Sequence, residues 1–329
     1  MTDVIGVLRD RLTRQRELGV LGLLLLTLLI VGAINPAFVA PDNLRDVLVA
    51  SAPTVIVACG LTFVVVLGEI DISMGALLGL LATVMGQSTS PTHGGLPVAV
   101  GIALTLAVGA GVGLVNGLLV SYGRMPSIIV TLGMLTVLEG VNLTLINGRF
   151  ITDLPPGLRF FGIGRLLGVP VSVWAAVIVV ALTIFLARRT PLGRRLYAAG
   201  SNPDAARLAG LSVPGLKLFA FTLTGLLTAV AAIVSVPRLG IIQSGIGQGF
   251  ELLVVTCVVV GGTSISGGRG TILGSALAAL LLGLVSPMLI FLRLGVSSTY
   301  WERAIQGLFI LAAVLLDHAA RGRQKGHWG

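Results

Sequence analysis

The sequence predicts an all-α fold, a polytopic transmembrane helical bundle of about ten spans with both termini cytoplasmic. Only 11% of its 329 residues are charged and its mean hydropathy is +1.02, whereas a soluble domain carries about 25% charged residues. Such a chain cannot cover its own surface in water, and several apolar runs approach the roughly 20 residues that cross a bilayer. The candidate spans lie at 18–34, 48–67, 71–86, 96–121, 127–146, 171–187, 217–236, 250–264, 271–292 and 301–317.

The basic residues set the expected orientation, because lysine and arginine concentrate in cytoplasmic loops. They cluster before the first span, between spans six and seven, and after the last span, and only an even number of spans places all three clusters on one side. The expected parts are a cytoplasmic segment 1–17, a transmembrane domain 18–317 and a basic cytoplasmic tail 318–329. The longest outward loop, 147–170, could hold a short surface helix or a re-entrant segment. The clusters contain Arg9, Arg11, Arg14 and Arg16, then Arg188, Arg189, Arg194, Arg195, Arg207 and Lys217, and finally Arg321, Arg323 and Lys325.

Several classes of function are not supported by the composition. The net charge of +9 does not indicate nucleic acid as a partner, because no basic patch alternates with aromatic residues. Cys59 and Cys257 lie inside apolar runs and are expected to be buried thiols. No catalytic set and no metal-binding motif occurs, so neither an enzyme nor a metal or cofactor site is predicted in this chain.

The stretch Gly68–Gly75 places two carboxylates and a hydroxyl, those of Glu69, Asp71 and Ser73, between two apolar runs. Ionisable groups at membrane depth usually line a wet cavity or pair with one another. The flanking glycines permit a broken helix or a tight turn. On composition alone, an ordinary polar turn at the membrane surface explains the stretch equally well.

The loop 190–210 carries the signals of a short helix. Asn202 suits the N-cap and Pro203 the first helical position. Asp204 favours the positive end of the helix dipole, and Gly210 suits the residue just past the helix end. A helix of about two turns is expected, with too few large apolar residues to lie in lipid. It would fit a groove on another protein, and the alternative is a solvated connector.

The segment Gly261–Gly270 is rich in glycine but lacks the GxxxxGK[ST] pattern of a phosphate-binding loop, which occurs nowhere in the chain. We interpret it, like Gly245–Gly249, as an interruption of membrane helices. The chain therefore has no visible means of hydrolysing ATP alone. The glycines expected to break helices are Gly68, Gly75, Gly261, Gly262, Gly267, Gly268 and Gly270.

Four stretches occur in a characteristic order. They are Gly-x-x-Asp-Ile-Ser-x-Gly at 68–75, PSIIVTLGM at 126–134, TPLGRRLYAAGSN at 190–202, and GFEL at 249–252 followed by the glycine-rich segment. Together they resemble the permease family of bacterial monosaccharide ABC importers. The family usually has an uncharged residue at the position of Glu69, so this carboxylate either pairs locally or tunes the pathway.

The resemblance implies a permease subunit that moves a pentose or hexose into the cytoplasm by alternating access across the bacterial inner membrane. The implied partners are a second permease copy or paralogue, two ATPase subunits that bind ATP and magnesium, and a periplasmic or extracellular sugar-binding protein. The stretch 148–155 looks most like the rhamnose and autoinducer-2 members. The candidate pathway residues are Glu69, Asp71, Ser73, Thr131 and Glu251. The implied ATPase-coupling loop, 188–216, contains Gly193, Arg194, Gly200, Asn202, Ala205, Ala206 and Gly210.

The alternative function is a secondary transporter driven by an ion gradient, since such proteins also place their ion sites at broken helices near the membrane midplane. The relay candidates would then be Glu69, Asp71, Glu139 and Glu251. Transport would need neither ATP nor the helix in the loop 190–210. The ordered motifs favour the importer permease.

Overall fold

The computed structural model describes residues 2–292, 301, 304–305, 307–309 and 311, with side chains from Glu17 onward. Proline occupies the first turn of several helices, where its missing N–H has no helical partner in any case. The helices are α1 (Thr2–Ile34), α2 (Pro41–Val66), α3 (Met74–Thr89), α4 (Val98–Ser121), α5 (Ser127–Ile146), α6 (Pro156–Ile163), α7 (Val171–Arg189), α8 (Pro191–Ser201), α9 (Pro203–Leu208), α10 (Val213–Leu239), α11 (Phe250–Val260), α12 (Ile272–Gly283) and α13 (Val285–Phe291).

α2 and α10 form the centre of the bundle. In their most apolar 18-residue stretches, 83% and 67% of the residues are buried. α10 packs against α2 and α4, and α2 also packs against α7 and α12. In the corresponding stretches of α4, α5 and α7, only 17–28% of the residues are buried. These outer helices therefore present apolar faces that only lipid or another membrane protein can cover.

Seven helices among the described residues are long and apolar enough to cross a membrane, so the chain is a multi-pass membrane protein. Two further predicted spans correspond to α3 and α11, which have 16 and 11 residues. Within the described residues α1 runs from Thr2 to Ile34, so residues 2–17 of the predicted N-terminal segment continue into the first span as one helix. Most of the predicted span 301–317 and the whole tail 318–329 lie outside the described residues. The count of ten spans and the side of the termini stay predictions.

The loop 147–170 contains α6 and a small hairpin, β1 (Arg165–Leu166) paired antiparallel with β2 (Val169–Pro170). The short helix is one of the two alternatives expected for this loop. The hairpin is a local β element in an otherwise helical chain, and two residues per strand are too few to produce an alternating pattern in the sequence. α6 packs on α10, where Gly162 lies against the backbone of Arg238.

The two ends of the bundle have different structures. One end, which we call the α8 end, carries α8, α9, the interruption between α2 and α3, and the interruption between α11 and α12. The opposite end carries α6, the hairpin and an isolated β-bridge between Ile151 and Ile242. Because successive long helices run in opposite directions, residues that are far apart in the sequence meet at the α8 end.

Candidate functional site

The interruption between α2 and α3, Leu67–Ser73, is called the first break. α2 ends in a Schellman motif in which the N–H of Gly68 donates to Val65 O at 2.9 Å. The N–H of Glu69 donates to Val64 O at 3.1 Å. Gly68 has φ +76°, a left-handed conformation that glycine adopts without steric cost because it has no Cβ. Gly68 therefore lies at a true helix end.

A buried polar chain fills the first break. Oδ1 of Asp71 accepts the N–H of Ser73 at 2.8 Å and its hydroxyl at 2.6 Å. Asn116 of α4 donates Nδ2 to Ser73 Oγ at 3.0 Å. All three side chains are buried, and Asp71 is only 3% exposed. The polar side chains of Asp71 and Ser73 are therefore buried inside the protein rather than exposed in a turn.

The backbone of the first break is held by α5. The N–H of Ile70 donates to Ser127 Oγ at 3.1 Å, and Thr131 Oγ1 lies 3.4 Å from Ile70 O. A buried backbone group without a hydrogen-bond partner is costly, so these hydroxyls replace the helical partners that Ile70 lacks. Thr131, a candidate pathway residue, is fully buried and contacts backbone.

Glu69, the residue at which the motif departs from the family pattern, forms an ion pair with Lys217 in the second turn of α10. The two side chains are 15% and 23% exposed, and an isolated charge at such a position would be costly. Of the two roles left open for Glu69, the structure shows local pairing. Lys217 lies 148 residues away in the sequence, so no local pattern identifies it as the partner.

The interruption between α11 and α12, Gly261–Thr271, is the second break, and it begins like the first. The N–H of Gly262 donates to Val259 O at 2.9 Å, and that of Thr263 donates to Val258 O at 3.1 Å. Gly262 has φ +92°. Each break follows the same Val-Val-Val-x-Gly pattern, a shared signal that sequence reasoning missed. The second break also contains the expected break residues Gly261, Gly267, Gly268 and Gly270.

The second break contacts the end of α2 immediately before the first break, and α8 packs against both segments. The N–H of Gly268 in the second break donates to Val66 O at the end of α2, at 2.7 Å. Gly200 of α8 lies against both groups, because a Cβ there would overlap Val66 O and would lie 3.0 Å from Gly268 N. Only glycine allows the α8 backbone to approach this closely.

Two side chains of α8 also contact the second break. The hydroxyl of Tyr197 donates to Gly270 O at 2.9 Å. The hydroxyl of Ser201, which donates to Tyr197 O at 2.8 Å, lies 3.4 Å from Gly268 O. The last turn of α8 therefore contacts the second break through side chains and packs by its backbone on Val66, the last residue of α2 before the first break. Displacement of α8 would act on both breaks together.

α8 and α9 each begin at a capping residue that is followed by proline. Thr190 Oγ1 accepts the N–H of Gly193 at 3.1 Å, and Asn202 Oδ1 accepts the N–H of Ala205 at 3.0 Å. α9, its N-cap and the left-handed Gly210 after it match the expectation from the sequence. α8 was missed, although Thr-Pro at its start is the same kind of signal.

Only some of the residues predicted for the coupling loop are exposed on the α8–α9 pair. Arg194 and Ala205 are exposed, but Gly193 and Ala206 are buried against their own chain. Ala206 is only 5% exposed, and its role in docking stays a prediction. Leu208, which sequence reasoning left out, is 92% exposed at the end of α9.

The segment Gly240–Gly249 between α10 and α11 is called the descending segment. Near the opposite end of the bundle, Ile242 forms the isolated β-bridge. Farther along, Ile246 packs on Gly79, and Gly247 packs on Gly75 in the first turn of α3. At 1.5 Å per residue these contacts lie about 15–20 Å below the far end of α3. The segment therefore reaches membrane depth without regular structure.

Gly75 does not break a helix, because it lies in the first turn of α3. Its lack of a side chain instead makes room for Glu251, since a Cβ at Gly75 would overlap Glu251 Oε2. The half-buried Glu251 carboxylate is also close enough to Glu139 of α5 for their charges to interact. The structure thus places Glu251 beside α3 and α5.

The sequence of residues 43–314 matches the family described as the permease component of branched-chain amino acid transport systems. The chain belongs to this permease family. The match covers α2 to α13, including both breaks and the α8–α9 pair.

Three relatives show how far the similarity of this permease extends. The ribose import permease of Escherichia coli K12 is 38% identical over 299 residues, with 90% of this chain and 91% of the relative covered. The ribose import permease of Bacillus subtilis 168 is 40% identical over 300 residues, with the same coverage. The autoinducer 2 import permease of Escherichia coli O157:H7 is 32% identical over 307 residues, covering 93% and 88%. No solved structure matches this chain.

The pathway candidates of this permease do not share one surface. Asp71, Ser73 and Thr131 are buried in or beside the first break, and Glu69 is paired with Lys217. Glu251 alone among the five adjoins the descending segment. Within the described part of the chain, no group of three or more His, Cys, Asp or Glu could hold a metal ion.

Proposed function

We propose that this chain is the permease subunit of an ATP-binding-cassette importer and that it moves a monosaccharide into the cytoplasm by alternating access. The relatives support a sugar, because those at 38% and 40% identity are named for ribose, although the family description names branched-chain amino acids. The autoinducer 2 relative is less similar, at 32%. A pentose is therefore favoured over the rhamnose or autoinducer-2 class suggested by residues 148–155.

The observation that carries the mechanism is the contact of α8 with the second break and with the end of α2 before the first break. A helix packed in a groove transmits rigid-body motion, whereas a flexible loop would absorb it. A push on α8 would reach Val66 through Gly200 and Gly268 through Ser201. Because α3 and α12 begin just after the two breaks, this motion would change the tilt of both helices relative to α2. Such a change is the kind of rearrangement that alternating access requires.

The proposed transporter contains two ATPase subunits, which bind ATP and magnesium, and a second permease copy or paralogue. A sugar-binding protein delivers the sugar on the outer side of the bacterial inner membrane. The ATPase docks on the outward face of the α8–α9 pair, where Arg194, Asn202, Ala205 and Leu208 are exposed. Leu208 supplies the apolar anchor, since exposed large apolar side chains in a polar surround mark protein contacts.

Leu208→Asp tests the docking surface. We expect the variant to insert in the membrane but to lose most of its co-purification with the ATPase and most of its sugar uptake, because a carboxylate would have to be buried in the ATPase groove. The matched control is Leu167→Asp, which changes a 93% exposed leucine in the hairpin at the opposite end. It should still bind the ATPase. Normal ATPase binding and coupled uptake in Leu208→Asp would contradict the proposal.

The ion-driven alternative has less support in this structure. Glu69 is paired with Lys217, and Asp71 is bonded to Ser73 inside the protein. Two of the four carboxylates proposed to relay ions therefore already have partners within the chain. Sugar uptake by the permease alone, driven by a proton gradient without any ATPase, would favour that alternative.

A further inference from the structure

The descending segment exposes polar side chains at membrane depth. Gln243, Ser244 and Gln248 are exposed, and the segment has no helical hydrogen-bond ladder. Asn142 of α5 lies near it, with Nδ2 at 3.5 Å from Ser244 O. Irregular backbone at this depth is tolerated only where protein covers it or where it lines a water-filled cavity. The exposed side of this segment therefore cannot face lipid.

One side chain of the neighbouring helix α5, Glu139, has the same property. Glu139 is exposed, and it lies about 18 Å from the start of α5 and about 10 Å from its end. A charged side chain at such a depth almost always faces a bundle interior or a water-filled cavity. By contrast, the large exposed side chains in the middle of α7 are apolar, including Val177, Ile178 and Leu182, as expected for a lipid-facing helix.

The two observations define one surface, which we call the polar strip. Asn142, one helical turn after Glu139 in α5, lies 3.5 Å from Ser244 O of the descending segment, and Glu251 lies two residues after that segment. The strip presents carboxylate, amide and hydroxyl groups, all of which can hydrogen-bond to sugar hydroxyls. It is formed by Glu139, Gln243, Ser244, Gln248 and Glu251.

We propose that the polar strip is the sugar-facing wall of the transport path, and that the buried residues of the first break are not. The inference rests on the proposed function, in which the second permease subunit supplies the opposite wall and keeps lipid away. The strip starts near the opposite end of the bundle and reaches the first turn of α3. A sugar moving along the polar strip would approach the first break, next to which α8 packs.

Thiol labelling in the assembled transporter tests the placement of the strip. Gln248→Cys and Ser244→Cys are made in a chain whose buried Cys59 and Cys257 are replaced by alanine. The control is Leu182→Cys on α7, 61% exposed but assigned to lipid. A charged, water-soluble methanethiosulfonate should modify both strip cysteines at least about ten-fold faster than the control, because thiolates form in water and not in lipid. Modification of Gln248→Cys should also block uptake.

Two outcomes separate the inference from the proposed function. If the unmodified complex imports a monosaccharide but both strip cysteines are as unreactive as Leu182→Cys, the strip does not face water and the inference is overturned. If no monosaccharide is imported while the strip cysteines react quickly, the wall exists but the sugar assignment fails. A reactive Gln248→Cys whose modification leaves uptake unchanged would also overturn its role as a wall of the path.

Discussion

The first break and the descending segment both interrupt membrane helices with glycine and polar residues. The polar side chains are buried in the first break and exposed in the descending segment. In the first break, Asp71 and Ser73 are 3% and 1% exposed and bonded to each other. In the descending segment, Gln243 and Gln248 are exposed. Similar composition thus gives buried, mutually bonded polar side chains in one segment and exposed ones in the other.

The difference arises from the neighbours of each segment. α4, α5 and α10 each contribute a side chain to the first break, and α8 packs on Val66 immediately before it. The descending segment packs on α3 through Ile242, Ile246 and Gly247 and leaves Gln243, Ser244 and Gln248 exposed. Polarity alone therefore does not show which segment lines the proposed transport path. The exposure of the polar side chains distinguishes the descending segment from the first break.

The largest expected effect follows from disturbing the contact at Gly200. Gly200→Val places a side chain where the carbonyl of Val66 lies, and overpacking of this kind costs about 1–3 kcal/mol. We expect the complex to assemble poorly or to hydrolyse ATP without moving sugar. ATP hydrolysis and uptake are measured on the same reconstituted complex.

The matched control is Gly111→Ala, also within a helix, where a Cβ would meet no atom within 4 Å. It should behave like the unchanged protein. Gly200→Ala should show a milder form of the same uncoupling. Tight coupling in both Gly200 variants would show that α8 does not act through its contact with the breaks.

A pair of leucine substitutions compares the two regions directly. Asp71→Leu leaves the N–H and hydroxyl of Ser73 without their acceptor, at about 1–3 kcal/mol for each buried unsatisfied group. Gln248→Leu removes a side chain that is exposed in the chain. We therefore expect a clear loss of thermal stability in detergent for Asp71→Leu and little change for Gln248→Leu. Equal destabilisation by the two variants would remove the distinction between the first break and the descending segment.

The smallest expected effect concerns the anchor of the descending segment at the opposite end. Asp153, two residues after Ile151 of the β-bridge, accepts hydrogen bonds from the hydroxyls of Ser90 and Thr92 at 2.8 and 2.6 Å. These bonds lower the pKa of Asp153 from 3.8 to about 2.

Because the folded-state pKa is depressed, the stabilisation by this carboxylate is complete above about pH 4 and is lost as the pH falls toward about 2. Thermal unfolding of Asp153→Asn should therefore differ slightly from that of the unchanged protein at neutral pH, with the difference shrinking on acidification. A difference that grows below pH 4 would contradict this assignment.

Sequence reasoning captured the features that depend on neighbouring residues. Long apolar runs with little charge require helices in a membrane, whatever the tertiary arrangement. The cap of α9 at Asn202 and the left-handed Gly210 after it follow from local backbone energetics. Gly68 and the glycines of the second break were identified for the same reason. α8 and the shared Val-Val-Val-x-Gly pattern were equally local signals that were missed.

Only the tertiary structure decided which residues meet and which face they occupy. The ion pair of Glu69 with Lys217, the contact of Gly268 with Val66 and the packing of Gly200 on it join distant segments. The burial of Ala206 and the exposure of Leu208 depend on how α9 sits on the bundle. Local sequence sets backbone conformation, but side-chain partners and exposure depend on the packing of whole helices, and no short pattern in the chain encodes that packing.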